Sequence, residues 1–156
     1  MQSKTVAQSR TEAVHILLHQ DLNGAHRLFG GRLMEWIDVT AAVAARRHSG
    51  RSVTTAAVDD LQFVGPAYIN DTLVLVARLT HVGRTSMEVR VDTFVEGLDG
   101  TRSHVNRAYL VMVAVDEEGK PVPVPALRPE TEEELREYEA GERRRQLRAQ
   151  RRAEGF

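Results

Sequence analysis

Asp38 falls at the border of an apolar helical stripe. At about 100° per residue, Leu33, Met34, Ile37, Ala41, Ala44 and Ala45 recur at spacings of three and four and share one face. A carboxylate at the edge of that face, near Ala42 and Ala45 and one turn from Met34, is partly withdrawn from water. Carboxylates so placed make competent general bases. The position equally suits an aspartate at the wet edge of the stripe that bonds a backbone group, and position alone leaves both open.

Asn23 and the pair Gly30-Gly31 come just ahead of this helix. Glycines admit a ligand close to the backbone, and the unpaired N–H groups of a helix's first turn attract an oxygen bearing negative charge. That is a sensible oxyanion site, although two glycines before a helix also make an ordinary turn. Gly83-Arg84-Thr85-Ser86 offers a guanidinium, two hydroxyls and backbone N–H groups to a phosphate. It reads as well as a plain hairpin turn.

Other chemistries lack their signatures. His15, His19, His26, His48, His81 and His104 are scattered, and the His15/His19 spacing would pair on a metal only in a helix, whereas that stretch reads as strand. No metal site is expected. There is no Gly-x-Ser-x-Gly elbow and no Walker-type loop, which leaves serine-hydrolase and nucleotide-hydrolase readings unsupported.

The elements that must hold these residues follow from periodicity. Residues 12–18 form an apolar stretch read as a first strand, and Asp21-Leu22-Asn23-Gly24 as a turn. A single strong helix is predicted over 32–48, ended by Ser49-Gly50. Strands are predicted over 53–63, 72–79, 86–95 and 106–115. In the third, Met87, Val89, Val91 and Thr93 alternate with Glu88, Arg90, Asp92 and Phe94, the pattern of a half-buried strand. One long helix followed by strands with short connections is an α+β fold with an antiparallel sheet. A proline-rich exit over 119–125 cannot continue a sheet interior. The charged stretch 130–152, acids first and arginines last, suits a solvated helix that packs weakly on the body or partly frays.

The composition bounds the function. A chain of 156 residues, 42% hydrophobic and 28% charged, has the size and make-up of one globular domain. Its formal net charge of -1 argues against a dedicated nucleic-acid binder. It has no cysteine, which removes disulfides, thiolate metal sites and cysteine nucleophiles together. No apolar run reaches the ~20 residues that span a bilayer, and MQSKTVAQSR lacks a signal-peptide core. A cytoplasmic protein, with no membrane contact, is the expectation. Lys4 and Lys120 are the only lysines, a bias toward arginine that fits anionic ligands or the habits of the source organism.

Several stretches together carry a resemblance. Asp21-Leu22-Asn23, then Phe29 through Asp38 (FGGRLMEWID), are similar to the entry and helix of the hotdog-fold acyl-CoA thioesterases, of the bacterial YciA-like and cytosolic acyl-CoA hydrolase type. Arg47-His48, Val53-Thr54, Val58-Asp59, Phe63-Val64-Gly65-Pro66, Gly83 through Val89, Val113 through Asp116, Gly119 through Pro125 and Pro129 through Glu132 follow in the family's order.

The resemblance implies a single hotdog domain over 8–119, a sheet wrapped around one long helix, with the proline-rich exit and charged helical tail at 120–156. It implies hydrolysis of medium- to long-chain acyl-CoA to fatty acid and CoA. Asp38 matches the family's catalytic carboxylate and Asn23 its catalytic asparagine, acting from opposite protomers of a dimer. Gly30 and Gly31 would polarise the thioester carbonyl, and Gly83, Arg84, Thr85 and Ser86 would hold the CoA nucleotide end. No cofactor is implied beyond CoA as part of the substrate, and many relatives are trimers of dimers. Here His26 is an extra donor of unassigned role. Asp59 could contact the site, or serve a structural turn or cap. Three rivals remain: a non-catalytic acyl-CoA-binding module, which would need a DNA-binding extension that the short amino terminus is not expected to supply; a dehydratase, which would need a histidine where none sits; and an interaction scaffold resting on the charged tail.

Overall fold

Leu33, Ile37, Ala41, Ala44 and Ala45 are all at most 1% exposed, which makes them the buried seam of a 20-residue helix. The computed structural model describes all 156 residues. In chain order the elements are β1 (Lys4–Thr5), α1 (Val6–Ser9), β2 (Thr11–Ile16), a 3-10 turn (His19–Asp21), α2 (Gly30–Ser49), β3 (Ser52–Phe63), β4 (Thr72–Val82), β5 (Ser86–Glu96), β6 (Arg102–Val115), β7 (Leu127–Arg128) and α3 (Glu132–Glu154). β1 and β7 pair in parallel as a small separate ribbon, and the other five strands form one antiparallel sheet in the order β2-β4-β5-β6-β3. This is the expected α+β architecture, the hotdog fold.

α2 lies against one face of that sheet, touching β2 through β6. The small side chains of Ala41, Ala44 and Ala45 let its backbone come close. Leu33 and Ile37 fill the remaining space, each burial stabilising by roughly 1.5–3 kcal/mol. Met34, expected on the buried stripe, is 46% exposed. The helix ends at Gly50, whose left-handed φ of 66° lets its N–H reach the Arg46 carbonyl at 2.8 Å. His48 is fully buried beside this end, its Nε2 at 2.8 Å from the Pro125 carbonyl.

Two sequence expectations change at the edges. Gly30 and Gly31 are the first two residues of α2, not a turn ahead of it. The charged tail is neither frayed nor weakly attached. α3 is a continuous helix that covers the second face of the sheet. Its N-terminus is closed by a reciprocal cap between Thr131 and Glu134. Glu88, with its side chain 1% exposed, receives Arg144 at 2.8 Å, Arg148 at 3.0 Å and the Thr80 hydroxyl at 2.6 Å. Glu137 meets Arg90 and the Tyr109 hydroxyl, and Glu142 meets His81 at 2.7 Å. β5 therefore alternates as expected, but Glu88 and Asp92 are buried too, 2% and 6% exposed, so the strand is covered on both faces. Arg144, Arg148 and Arg151, which looked like part of a solvated face, are the partners of carboxylates distant in sequence.

Candidate active site

The N-terminus of α2 is open to a ligand. Its N-cap, Phe29, makes no side-chain cap, and the N–H groups of Gly30, Gly31 and Arg32 meet no acceptor in the chain. Unpaired donors at the positive end of a helix are suited to a carbonyl oxygen that gains negative charge. A Cβ on Gly31 would stand 2.7 Å from the Phe29 ring, so any side chain there would have to displace that ring. Gly30 sits against Phe63, its Cβ position 3.5 Å from the ring edge. Phe29 and Phe63 are both more than half exposed, so the donors lie between two apolar lips.

Asn23 is fixed by its own loop. Its Oδ1 accepts from the N–H groups of Ala25 at 2.8 Å and Arg27 at 3.2 Å, an arrangement that leaves its Nδ2 without a partner in the chain. The loop places Asn23 in a cleft of about 330 Å3 with Arg27, Phe63, Pro66 and Val105. His26 holds the loop's tight bend with a φ of 61°.

The clamp on this loop is Asp21, which the sequence shows only as a turn residue. Asp21 is 5% exposed; its Oδ2 accepts from Leu18 N–H at 2.9 Å, and its Oδ1 lies 3.3 Å from Arg32 Nε. The Asp21 carbonyl also accepts from Phe29 N–H at 2.8 Å. Loop and helix mouth are thus joined through one buried carboxylate. Nearby, His15 stacks on Trp36 with ring centroids 4.0 Å apart. Burial pushes its imidazole below the usual 6.5, and the Asp21 charge pulls it only part of the way back.

Asp38 is half-buried two turns beyond Gly31 and accepts the Thr55 hydroxyl at 2.6 Å. Its partner is therefore a side chain on β3 rather than a backbone group. Thr55 stands beside a β-bulge, where the pairing with β6 skips from Thr55 to Ala57. Such a bulge re-aims side chains near functional sites. Thr55 was not legible in the sequence, because one threonine in a Val- and Thr-rich strand carries no periodic signal. Asp59 does not join this site; it pairs with Arg148 at 3.2 Å and Arg151 at 3.1 Å on α3.

Gly83-Arg84-Thr85-Ser86 is the β4–β5 turn, closed by Gly83 N–H to the Ser86 carbonyl at 2.8 Å. The Arg84 carbonyl accepts from Val124 N–H at 2.9 Å, next to the Pro125 that meets His48. The turn therefore sits by the C-terminal end of α2. Gly31 to His48 is about 25 Å along the helix at 1.5 Å per residue. Within one chain Asn23 and Gly30 both border Phe63, Asp38 sits midway along α2, and the Gly83 turn lies at the far end.

An uncapped helix mouth, apolar lips and a held carboxylate stand together on a hotdog fold, an arrangement whose chemistry suits acyl transfer. The thioesterase superfamily profile matches residues 26–100. A Bacillus subtilis (strain 168) protein, uncharacterized acyl-CoA thioester hydrolase YkhA, is 42% identical over 86% of this chain and 75% of its own length. The chain belongs to the thioesterase superfamily, among its acyl-CoA thioester hydrolases. The crystal structure of an apo-hexameric acyl-CoA thioesterase superposes with a TM-score of 0.94 at 42% identity, covering 98% of this chain and 99% of that one. An acyl-CoA hydrolase from Staphylococcus aureus, solved with butyryl coenzyme A, coenzyme A and coenzyme A disulfide, gives a TM-score of 0.92 at 35% identity, covering 98% and 94%. Alanine variants of that enzyme replace one Asn, one Asp and one Thr, separated along its chain as Asn23, Asp38 and Thr55 are here. No helix of this chain is long and apolar enough to cross a membrane.

Proposed function

We propose that this protein hydrolyses medium- to long-chain acyl-CoA thioesters to free fatty acid and CoA in the cytoplasm. The observation that carries the reading is the set of unpaired N–H groups at Gly30 and Gly31, set between Phe29 and Phe63. The thioester carbonyl oxygen accepts from these groups, which lowers the cost of the charge that develops on it. Asp38 takes a proton from water as the water oxygen bonds to the carbonyl carbon. The carbon–sulfur bond then breaks, and the CoA thiolate leaves with the proton that Asp38 returns. In the covalent variant the Asp38 carboxylate attacks first, expelling the thiolate, and water opens the resulting anhydride. The free Nδ2 of Asn23 orients the water or the thioester. Arg84, with the hydroxyls of Thr85 and Ser86, holds the phosphates of CoA.

Within one chain Asn23 and Asp38 share no hydrogen bond, and the site is read as taking them from two protomers. β3 supports this: it is an edge strand of 12 residues with Val58 and Phe63 half exposed, and such an edge is normally paired. A second copy on that edge would carry its Asn23 loop toward Asp38. A separate apolar face, with Val14, Ile16, Leu18 and Ile69 all more than half exposed, supports further assembly into a trimer of dimers.

Thiol release from an acyl-CoA panel of C2 to C18, with wild type and Asp38→Ala side by side, tests the reaction. Release by wild type alone supports reaction and base together. No release, with CoA still raising the melting temperature, points to a non-catalytic acyl-CoA-binding module.

A further inference from the structure

The arginines of α3 divide into two groups. Arg144, Arg148 and Arg151 are each held by Glu88 or Asp59 at 2.8 to 3.2 Å. Arg145 makes no ion pair in the chain, and its guanidinium lies over the β4–β5 turn. A Cβ on Gly83 would stand 3.5 Å from Arg145 Nη2 and 2.9 Å from Ser86 Oγ. Arg84, exposed on the same turn, has no carboxylate partner either. The nearest acid in sequence, Glu142, is engaged by His81 at 2.7 Å. The Arg145 guanidinium thus lies over a turn that itself carries Arg84 and the hydroxyls of Thr85 and Ser86, and neither arginine has an ion-pair partner. The absence of a side chain on Gly83 leaves the room between Arg145 and the Ser86 hydroxyl.

We propose that Arg145 is a substrate-binding residue that pairs with a phosphate of the CoA nucleotide and selects for nucleotide-bearing thioesters. The proposal rests on the acyl-CoA reading above and assigns α3 a part in it. Planar guanidinium groups from two directions grip a multiply charged phosphate ester better than one, because each adds charge-assisted bonds of fixed geometry. Arg145 lies over the turn read as the nucleotide site and not at the mouth of α2, so it acts on binding and not on the chemical step.

The test compares wild type, Arg145→Ala and Arg143→Ala on an acyl-CoA and on the matching acyl-pantetheine, which lacks the nucleotide. Arg143 is exposed on the same helix and forms no ion pair, so it controls for charge. For Arg145→Ala the expected result is a roughly three- to tenfold rise in KM for acyl-CoA, with kcat unchanged and acyl-pantetheine unaffected. Arg143→Ala should match wild type. An unchanged KM, or an equal loss on both substrates, overturns the proposal. Calorimetric titration with adenosine 3′,5′-bisphosphate separates the two readings. If wild type hydrolyses nothing, the acyl-CoA reading fails. Binding weakened in Arg145→Ala then still supports the phosphate site, and equal or absent binding overturns it.

Discussion

The Thr55 hydroxyl donates to Asp38 Oδ1 over 2.6 Å, tying the middle of α2 to the edge strand β3. The bond fixes one oxygen of the carboxylate and leaves the other for water or substrate. A hydrogen bond to a charged group is worth more than a neutral one, about 1.5–3 kcal/mol.

Replacing the carboxylate should remove the chemistry and spare the fold. Asp38→Asn is expected to lower kcat by ~10² to 10⁴ with the melting temperature within a few degrees of wild type. Thr55→Val should lower kcat about tenfold, with recovery in Thr55→Ser. Steady-state kinetics beside thermal melts check both, and a fully active Asp38→Asn would refute the assigned role.

Asp21 should matter for stability and for the loop that carries Asn23. Asp21→Ala leaves Leu18 N–H without its buried acceptor and removes the opposite charge beside the Arg32 guanidinium. A loss of about 1–3 kcal/mol is expected in denaturant unfolding, together with a fall in kcat as Asn23 loosens. Faster hydrogen exchange across residues 21–28 would report the loosening directly.

At Gly141 the usual rule for helical glycine should reverse. Alanine in a helix interior normally stabilises by about 1 kcal/mol. Here its Cβ would stand 2.7 Å from the His81 Cβ and 3.0 Å from Glu88 Oε1. Gly141→Ala is therefore expected to lower the melting temperature by pushing α3 off the sheet. A stabilised variant would show that α3 docks less closely than described.

Acid should weaken the fold from about pH 6.5 downward. Burial pushes His48 and His81 below the ordinary 6.5; the bond to Pro125 and the Glu142 carboxylate pull each only part of the way back. A histidine so depressed binds its proton more readily in the unfolded chain, so its contribution is complete above 6.5 and is lost as the pH falls below it. Glu137 adds a later loss. Burial raises its carboxyl, but the bond and charge of Arg90 outweigh this and hold it below 4.5, so its contribution disappears as the pH falls beneath that value. Melting temperatures that stay flat from pH 7 to 5 would contradict the histidine sign, and ones that stay flat as the pH falls further below 4.5 would contradict the glutamate sign.

How much of this was legible depends on the distance over which each signal acts. The seam of α2 and the alternation of β5 are local patterns, and they marked the helix, the strands and the antiparallel sense of the sheet, though not that β3 lies beside β6 instead of β4. The recurrence of Asn23, Gly30-Gly31, Asp38 and Gly83 to Ser86 in a known order marked the family. What those patterns could not contain is pairing between residues far apart. Thr55 reaches Asp38 across 17 positions, Arg144 reaches Glu88 across 56, and Arg148 reaches Asp59 across 89. A glutamate within a strand and an arginine within a tail each look solvated on their own, because the cost of burying either charge is met only when the fold sets them together. For that reason the sequence alone determined the elements and the family, whereas tertiary structure decided that α3 is part of the body, that Asp21 clamps the Asn23 loop, and that Asp38 answers to β3.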